Sequence, residues 1–411
     1  MNLNRSKIKK VILFRNSFSG ISGVERIMFE EARYLVKNRI GAYMLTYDLQ
    51  EGAKLTFELL HQTGMLSIEE IPCRRVSNGL LQELYKIRAL RKKIKEIKPD
   101  IIIAQEAGVC SYLYLATFFT NFPYVAHVHD VIFQSYTNPL KYGFVFRRVF
   151  EEMRTFSIRG KKECILPRPP KMGLLKRIRV EIAALIQYIG IRKARKIFTL
   201  SNQVKWMVKK LYGKEAIVLK GAFSVDKLSY QSKSNIKDKL GLANKMMILN
   251  INSLKPEKRI DLLLRAFKPL SEELESAVLI IGGTGPEEKK LKNLAKDLCI
   301  GDKVKFMGYI QEEELWDYYA GCDVFVHPFQ GDFCIAPYEA LVLQKKVVLP
   351  SEMELDEHLV KNKHIFVADP TVDDLADVIK KALTTDVSEK YDVSMYTWDK
   401  YCQRIMGELE D

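Results

Sequence analysis

The sequence has no apolar run near the roughly 20 residues that a membrane-spanning helix requires, so no spanning helix is expected. It has no Cys-x-x-Cys pair. Its seven cysteines, at 73, 110, 164, 299, 322, 334 and 402, are odd in number and scattered, and they read as reduced, mostly packed thiols of a cytoplasmic protein. No cleavable signal pattern precedes the first apolar strand, which supports the same expectation. Two nucleotide signatures are missing as well. The glycines at 282–285 are not followed by the Lys-Ser/Thr of a nucleotide-hydrolysing P-loop, and Gly20 and Gly23 are not part of a Gly-x-Gly-x-x-Gly run. His127, His129 and Asp130 invite a metal reading, but no third or fourth ligand is spaced to complete one, and no metal is expected. The basic segment 157–196 has little aromatic character beyond Tyr188, so the interleaved pattern of a nucleic-acid-binding stretch is missing.

What is present is a chain of 411 residues, 47% hydrophobic and 28% charged, with a net charge of +14. That length suits about two domains with full cores. The charge implies an acidic partner, whether nucleic acid, anionic lipid headgroups or phosphorylated substrates, and does not choose among them. Along the chain, short apolar strands alternate with helical runs. Residues 11–14, 44–47, 100–104, 123–130 and 197–201 read as strands, with helices over 24–37, 80–95, 109–119 and up to 212. A glycine-bearing loop at 16–23 lies between the first strand and first helix, where a doubly wound sheet lets a ligand approach the backbone. His127 and His129 are two apart on a strand and share a face. In 157–196, clustered Arg and Lys surround an apolar helical stripe, a pattern that suits an anionic membrane surface as well as a core helix with solvated basic flanks. A polar stretch marks a boundary at 223–236.

The second half restarts the alternation, with strands at 246–251, 277–281 and 304–306 and helices at 259–269 and 312–319. The most informative stretch is 321–341. Residues 323–327 read as a strand, 328–333 as a turn, and from Cys334 the spacing of Ile335, Tyr338, Glu339 and Leu343 is helical. This puts the N–H groups of Cys334 and Ile335 at a helix N-terminus, which favours an anion, and sets Glu339 one turn in, facing the same crevice. A carboxylate there suits a ribose diol; an ordinary strand–helix unit with a solvated Glu is the alternative.

These residues resemble a family. Pro256-Glu257-Lys258, Gly283-Thr284-Gly285-Pro286, Phe306-Met307-Gly308-Tyr309, 323–328 and 332–340 look like the second domain of family-4 retaining glycosyltransferases of GT-B fold. Ser22-Gly23-Val24-Glu25-Arg26, Val128-His129-Asp130 and the start of a C-terminal helix at 396–399 resemble the first domain more loosely. The resemblance implies an α/β protein of two doubly wound Rossmann-like domains facing an inter-domain cleft: 1–225 with 396–411 as the acceptor domain, and 226–395 binding the nucleotide sugar. It implies transfer of a hexose to a lipid-linked or glycan acceptor, with retention and without metal or other cofactor. Catalytic roles fall to His129, Lys258 and Asp332. Donor contacts fall to Gly23, Ser253, Lys258, Gly283, Phe333, Cys334, Ile335 and Glu339, with Lys258 on the diphosphate and Glu339 on the ribose. Partners are the donor, the acceptor and an anionic membrane surface through 157–196, on the inner face of the cell membrane; nucleic acid is not expected.

The chain departs from the family at four places. Gly331 stands where a Glu usually contacts the sugar, with Asp332 beside it. Asn252-Ser253 replaces Gly-Arg, which removes one diphosphate cation. Glu352-Met353-Glu354-Leu355 replaces a small-residue loop, and its acids would repel a diphosphate if they faced it. Cys334 replaces a glycine. These departures leave open a second reading, a GT-B-like protein that binds a nucleotide sugar or a partner enzyme without efficient transfer.

Overall fold

The structure is a computed structural model that describes residues 8–18, 23–51, 65–73, 77, 79–129, 140, 143–153, 157–158, 161–162, 172–222, 230–232, 234–329, 334–355, 357–392 and 396–410. The chain divides into two units, Met1–Gly221 with Trp398–Asp411, and Ala222–Thr397.

The first unit is built on a seven-stranded parallel sheet. Lys10–Phe14 is central. Gly41–Thr46 and Leu66–Glu70 extend it on one side; Ile101–Ala104, Tyr124–Val128, Ile197–Thr199 and Ile217–Val218 extend it on the other. The order therefore reverses between Lys10–Phe14 and Ile101–Ala104, and the ends of those two strands form a topological switch point. Ile101–Ala104 and Tyr124–Val128 are buried at every residue, as expected of parallel strands covered on both faces. The helix Trp398–Glu410 returns to this unit and packs on Gly23–Lys37, with Trp398, Tyr401, Ile405 and Leu409 buried.

The second unit holds a six-stranded parallel sheet with the same plan. Met246–Ile251 is central, followed on one side by Ala277–Gly282 and Val304–Gly308, and on the other by Val324–Val326, Lys346–Pro350 and Ile365–Ala368. Alternate residues of single strands enter opposite cores. Met247, Leu249, Ile280, Phe325, Val347 and Leu349 pack with Trp316, Tyr319 and Leu341. Ile248, Leu279, Ile281, Val324, Val326 and Val348 pack with Leu263, Phe267 and Ile379 on the other face. The two-residue side-chain period, apolar on both faces, is what a doubly covered sheet requires.

One expectation from pattern needs correcting, and one strand went unread. The helix read as ending at Pro269 runs Ile260–Glu273 with Pro269 inside it, because Leu263, Leu264, Phe267, Leu270 and Ser271 lie on one buried face that spans the proline. Leu66–Glu70 is a sheet strand that the pattern did not reveal, since two of its five residues are Glu. Among the described residues, no helix is long and apolar enough to cross a membrane.

Candidate functional site

In the first unit, the switch point is lined with charge. Arg15, directly after the central strand, donates from Nε to Glu106 Oε1 at 2.7 Å, and its guanidinium lies 3.2 Å from Glu25 Oε1 in the first turn of the helix Gly23–Lys37. Gly23 is the exposed first residue of that helix.

His129, just past Tyr124–Val128, is buried. A chain of buried polar groups fixes its protonation. Gln105 Nε2 donates to Glu31 Oε2 at 2.5 Å, and Gln105 Oε1 lies 2.6 Å from His129 Nε2. A carboxylate only accepts, so the amide nitrogen must face Glu31 and the amide oxygen must face the histidine. His129 Nε2 therefore carries the hydrogen. Its Nδ1 is left as a buried acceptor with no hydrogen-bond partner among the described residues. Burial, then the neighbouring His127 and Arg15, hold the His129 pKa well below the ordinary histidine value, so the ring is neutral at pH 7. His127, its ring centre 3.9 Å away, extends the network: Tyr401 Oη is 3.1 Å from His127 Nε2, and His127 Nδ1 is 3.4 Å from Glu31 Oε1. The C-terminal helix thus braces the ring that lies against His129.

In the second unit, the order reverses between Met246–Ile251 and Val324–Val326, and residues following both strands meet there. Asn252 Nδ2 lies 3.3 Å from His327 Nδ1. Lys258 closes the 3-10 turn Pro256–Lys258, and its ammonium sits 3.5 Å from the centre of the Phe329 ring, which in turn packs edge-on against His327. His327 is buried, and its pKa is pushed down to about 3, by burial first and then by the Lys258 charge. A cation over an aromatic face, at the carboxyl ends of parallel strands, is placed where these sheets receive ligands.

The backbone around this point is held by Gly283. At φ +121°, a β-carbon on Gly283 would come within 1.8 Å of the Asn252 carbonyl oxygen. The close approach carries ladder-like bonds, Asn252 N to Gly282 O at 3.1 Å and Leu254 N to Thr284 O at 2.9 Å. Gly283 thus positions the Asn252–Leu254 loop, on which Ser253 is exposed.

The helix Ile335–Val342 begins at Cys334 without a side-chain cap, and Pro337 lacks an N–H in the first turn. Ile335 and Ala336 therefore supply N–H donors at its N-terminus. Glu339 is 2% exposed and accepts from Tyr319 Oη at 2.9 Å, so it is not a solvated helix glutamate. Of the acids at 352–355, Glu352 is 6% exposed in its side chain and forms a fork-to-fork pair with Arg259. Asp332 and Phe333, like Gly331 and Gly20, lie outside the described residues.

Sequence reasoning missed Arg15, Glu31, Gln105 and Tyr401. Arg15 and Gln105 directly follow buried strands at the switch point, a signal that was there to be used. Glu31 and Tyr401 sit inside helices, and nothing in their local pattern marks them.

Comparison with known proteins bears on the family and the fold. Residues 232–395 match the family model described as glycosyl transferases group 1, and residues 21–219 match that of glycosyltransferase family 4. An uncharacterised glycosyltransferase of Methanocaldococcus jannaschii is 26% identical over 54% of this chain, and the match spans 61% of that relative. A GDP-mannose-dependent α-(1-6)-phosphatidylinositol monomannoside mannosyltransferase of Mycolicibacterium smegmatis is 31% identical over 24% of this chain and 25% of its own. Among solved structures, Anabaena HepE in complex with UDP and glucose superposes with a TM-score of 0.72, at 18% identity, over 98% of this chain and 99% of that one.

Proposed function

Since the chain belongs to the group 1, family 4 glycosyltransferases, with the two Rossmann-like units of the GT-B fold, we propose that it moves a hexose from a nucleotide-sugar donor to a lipid-linked or glycan acceptor, retaining configuration and without a metal ion. The second unit takes the donor and the first the acceptor. The observation that carries this reading is the set of groups around the second unit's switch point: Lys258 as cation, the Ile335 and Ala336 N–H groups at a helix N-terminus, and the buried carboxylate of Glu339. Lys258 and the helix N-terminus neutralise the departing diphosphate, the role a metal fills elsewhere, and Glu339 accepts from the ribose hydroxyls. The acceptor hydroxyl then attacks on the face the leaving group vacates, so rate depends on leaving-group stabilisation and positioning. Neutral His129, with a bare Nδ1, accepts from a sugar hydroxyl. The UDP and glucose of HepE and the GDP-mannose and phosphatidylinositol mannoside of the mycobacterial relative support a hexose donor and a lipid-linked acceptor.

The helix Leu174–Lys193 supports work at the inner face of the cell membrane. Val180, Ala184, Gly190 and Ile191 pack inward, while Leu174, Leu175, Ile178, Ile182 and Leu185 are exposed beside Lys176, Arg177 and Arg179. An apolar stripe flanked by cations fits an anionic lipid surface.

The test is product analysis: incubation with candidate nucleotide sugars, acceptor-bearing lipid extract and excess chelator, reading the anomeric configuration of the product by NMR. A retained configuration at full rate in chelator is expected; inversion, or loss of rate restored by a divalent ion, would overturn the corresponding part. Ser253, exposed and uncharged where a cation is usual, favours the second reading, binding without efficient transfer; donor binding with no product in this assay would select it.

A further inference from the structure

Arg259, one residue past Lys258, occupies a backbone position that does not suit it. As the N-cap of the helix Ile260–Glu273 it has φ +53° and ψ 35°, the left-handed region where glycine is the default and a β-carbon is disfavoured. Its side chain makes no cap bond to the helix that would account for an arginine there. Instead its guanidinium reaches the loop after Lys346–Pro350. There Nη1 donates to Glu352 Oε2, and Nη2 donates to Oε1 at 3.3 Å. The arginine side chain is 23% exposed and the glutamate 6%. Both partners stand at the carboxyl edge of the same sheet, one on the turn after Met246–Ile251 and the other after Lys346–Pro350. That edge also carries Lys258.

A fork filled by two carboxylate oxygens is the geometry with which guanidinium grips two oxygens of a phosphate. The chain has the neutral Ser253 where a diphosphate cation is expected, and one short turn later it holds an arginine in a strained conformation beside Lys258. We propose that Arg259 is the second diphosphate-binding cation of this chain, and that Glu352 occupies its fork until the donor's diphosphate takes it over. This inference rests on the nucleotide-sugar reading. A diphosphate carries more charge than one carboxylate, so it competes successfully for the fork, and Glu352 then stands as a nearby anion that weakens binding. Glu352 acts as a gate on donor affinity and no longer as a plain repulsive obstacle.

The experiment is calorimetric titration of the full chain with UDP and GDP, and with the corresponding monophosphates, in chelator. Arg259→Gly keeps the left-handed backbone and deletes only the side chain. It should weaken binding of the preferred diphosphate about tenfold or more, and of its monophosphate by less. Arg259→Lys, which keeps the charge but not the fork, should fall between. Glu352→Gln should tighten diphosphate binding several-fold, and that gain should vanish in the Arg259→Gly background. Diphosphate affinity unchanged in Arg259→Gly, or weakened in Glu352→Gln, would overturn the proposal alone and leave the pair as a structural clamp. Failure of the unaltered chain to bind either diphosphate would overturn both this proposal and the donor reading beneath it.

Discussion

Burial, then the neighbouring His127 and Arg15, keeps His129 neutral, and burial with the Lys258 charge does the same for His327. Both native values lie below that of the unfolded chain, so between about pH 6.5 and the native values the unfolded state binds protons that the native state refuses. Stability is therefore fully present above about pH 6.5 and is lost as pH falls, at up to about 1.4 kcal/mol per pH unit for each of the two histidines. Urea unfolding at pH 7.5, 6 and 5 checks this. His327→Gln should flatten the slope of the second unit's transition, and a stability that does not change from pH 7.5 to 5 would contradict the assignment. At this scale the sequence was partly legible. The two-residue spacing of His127 and His129 announced a shared face, and their ring centres lie 3.9 Å apart. The groups that hold the pair in place were not legible, because Tyr401 is 274 residues from His127, and neither its type nor its spacing marks it.

The helix Ile335–Val342 was read from spacing alone, and it is buried at every residue from Pro337 to Val342. What spacing could not supply was Tyr319, from the preceding helix Glu312–Gly321, whose hydroxyl holds Glu339 in place. Glu339→Ala should weaken nucleoside diphosphate binding several-fold or more by calorimetry, since the carboxylate is the group assigned to the ribose; unchanged affinity would remove it from the site. The helix Leu174–Lys193 makes a separate prediction. Replacing Leu175, Ile178 and Ile182 together by Glu should abolish co-sedimentation with anionic vesicles without changing donor affinity, because all three lie opposite its core face. Binding to vesicles that survives this change would assign the stripe to another partner. Pro269 shows the limit of reading elements from local rules: one proline's lost hydrogen bond is outweighed by the buried face on which Phe267 and Leu270 sit.

Across the molecule, both sheets place the first strand centrally and reverse order beside it, so that Arg15 and Gln105 in one unit, and Asn252 and His327 in the other, fall where ligands bind doubly wound sheets. The alternation of strand and helix predicted this architecture, and apolar runs such as 101–104 and 246–251 fit parallel strands covered on both faces. The ion pair of Arg259 with Glu352 could not be predicted, because it joins two loops that only the sheet order brings together. Everything proposed for the second unit depends on its binding a nucleotide-sugar donor through Lys258 without a metal. The most direct test is thermal shift of the full chain, in excess chelator, against UDP, GDP, ADP and their hexose derivatives, beside Lys258→Ala. A ligand that binds only the native state must raise the melting temperature. A shift for one base is expected in the unaltered chain, and its loss in the variant. No shift for any of these ligands, or a shift that Lys258→Ala leaves intact, would contradict it.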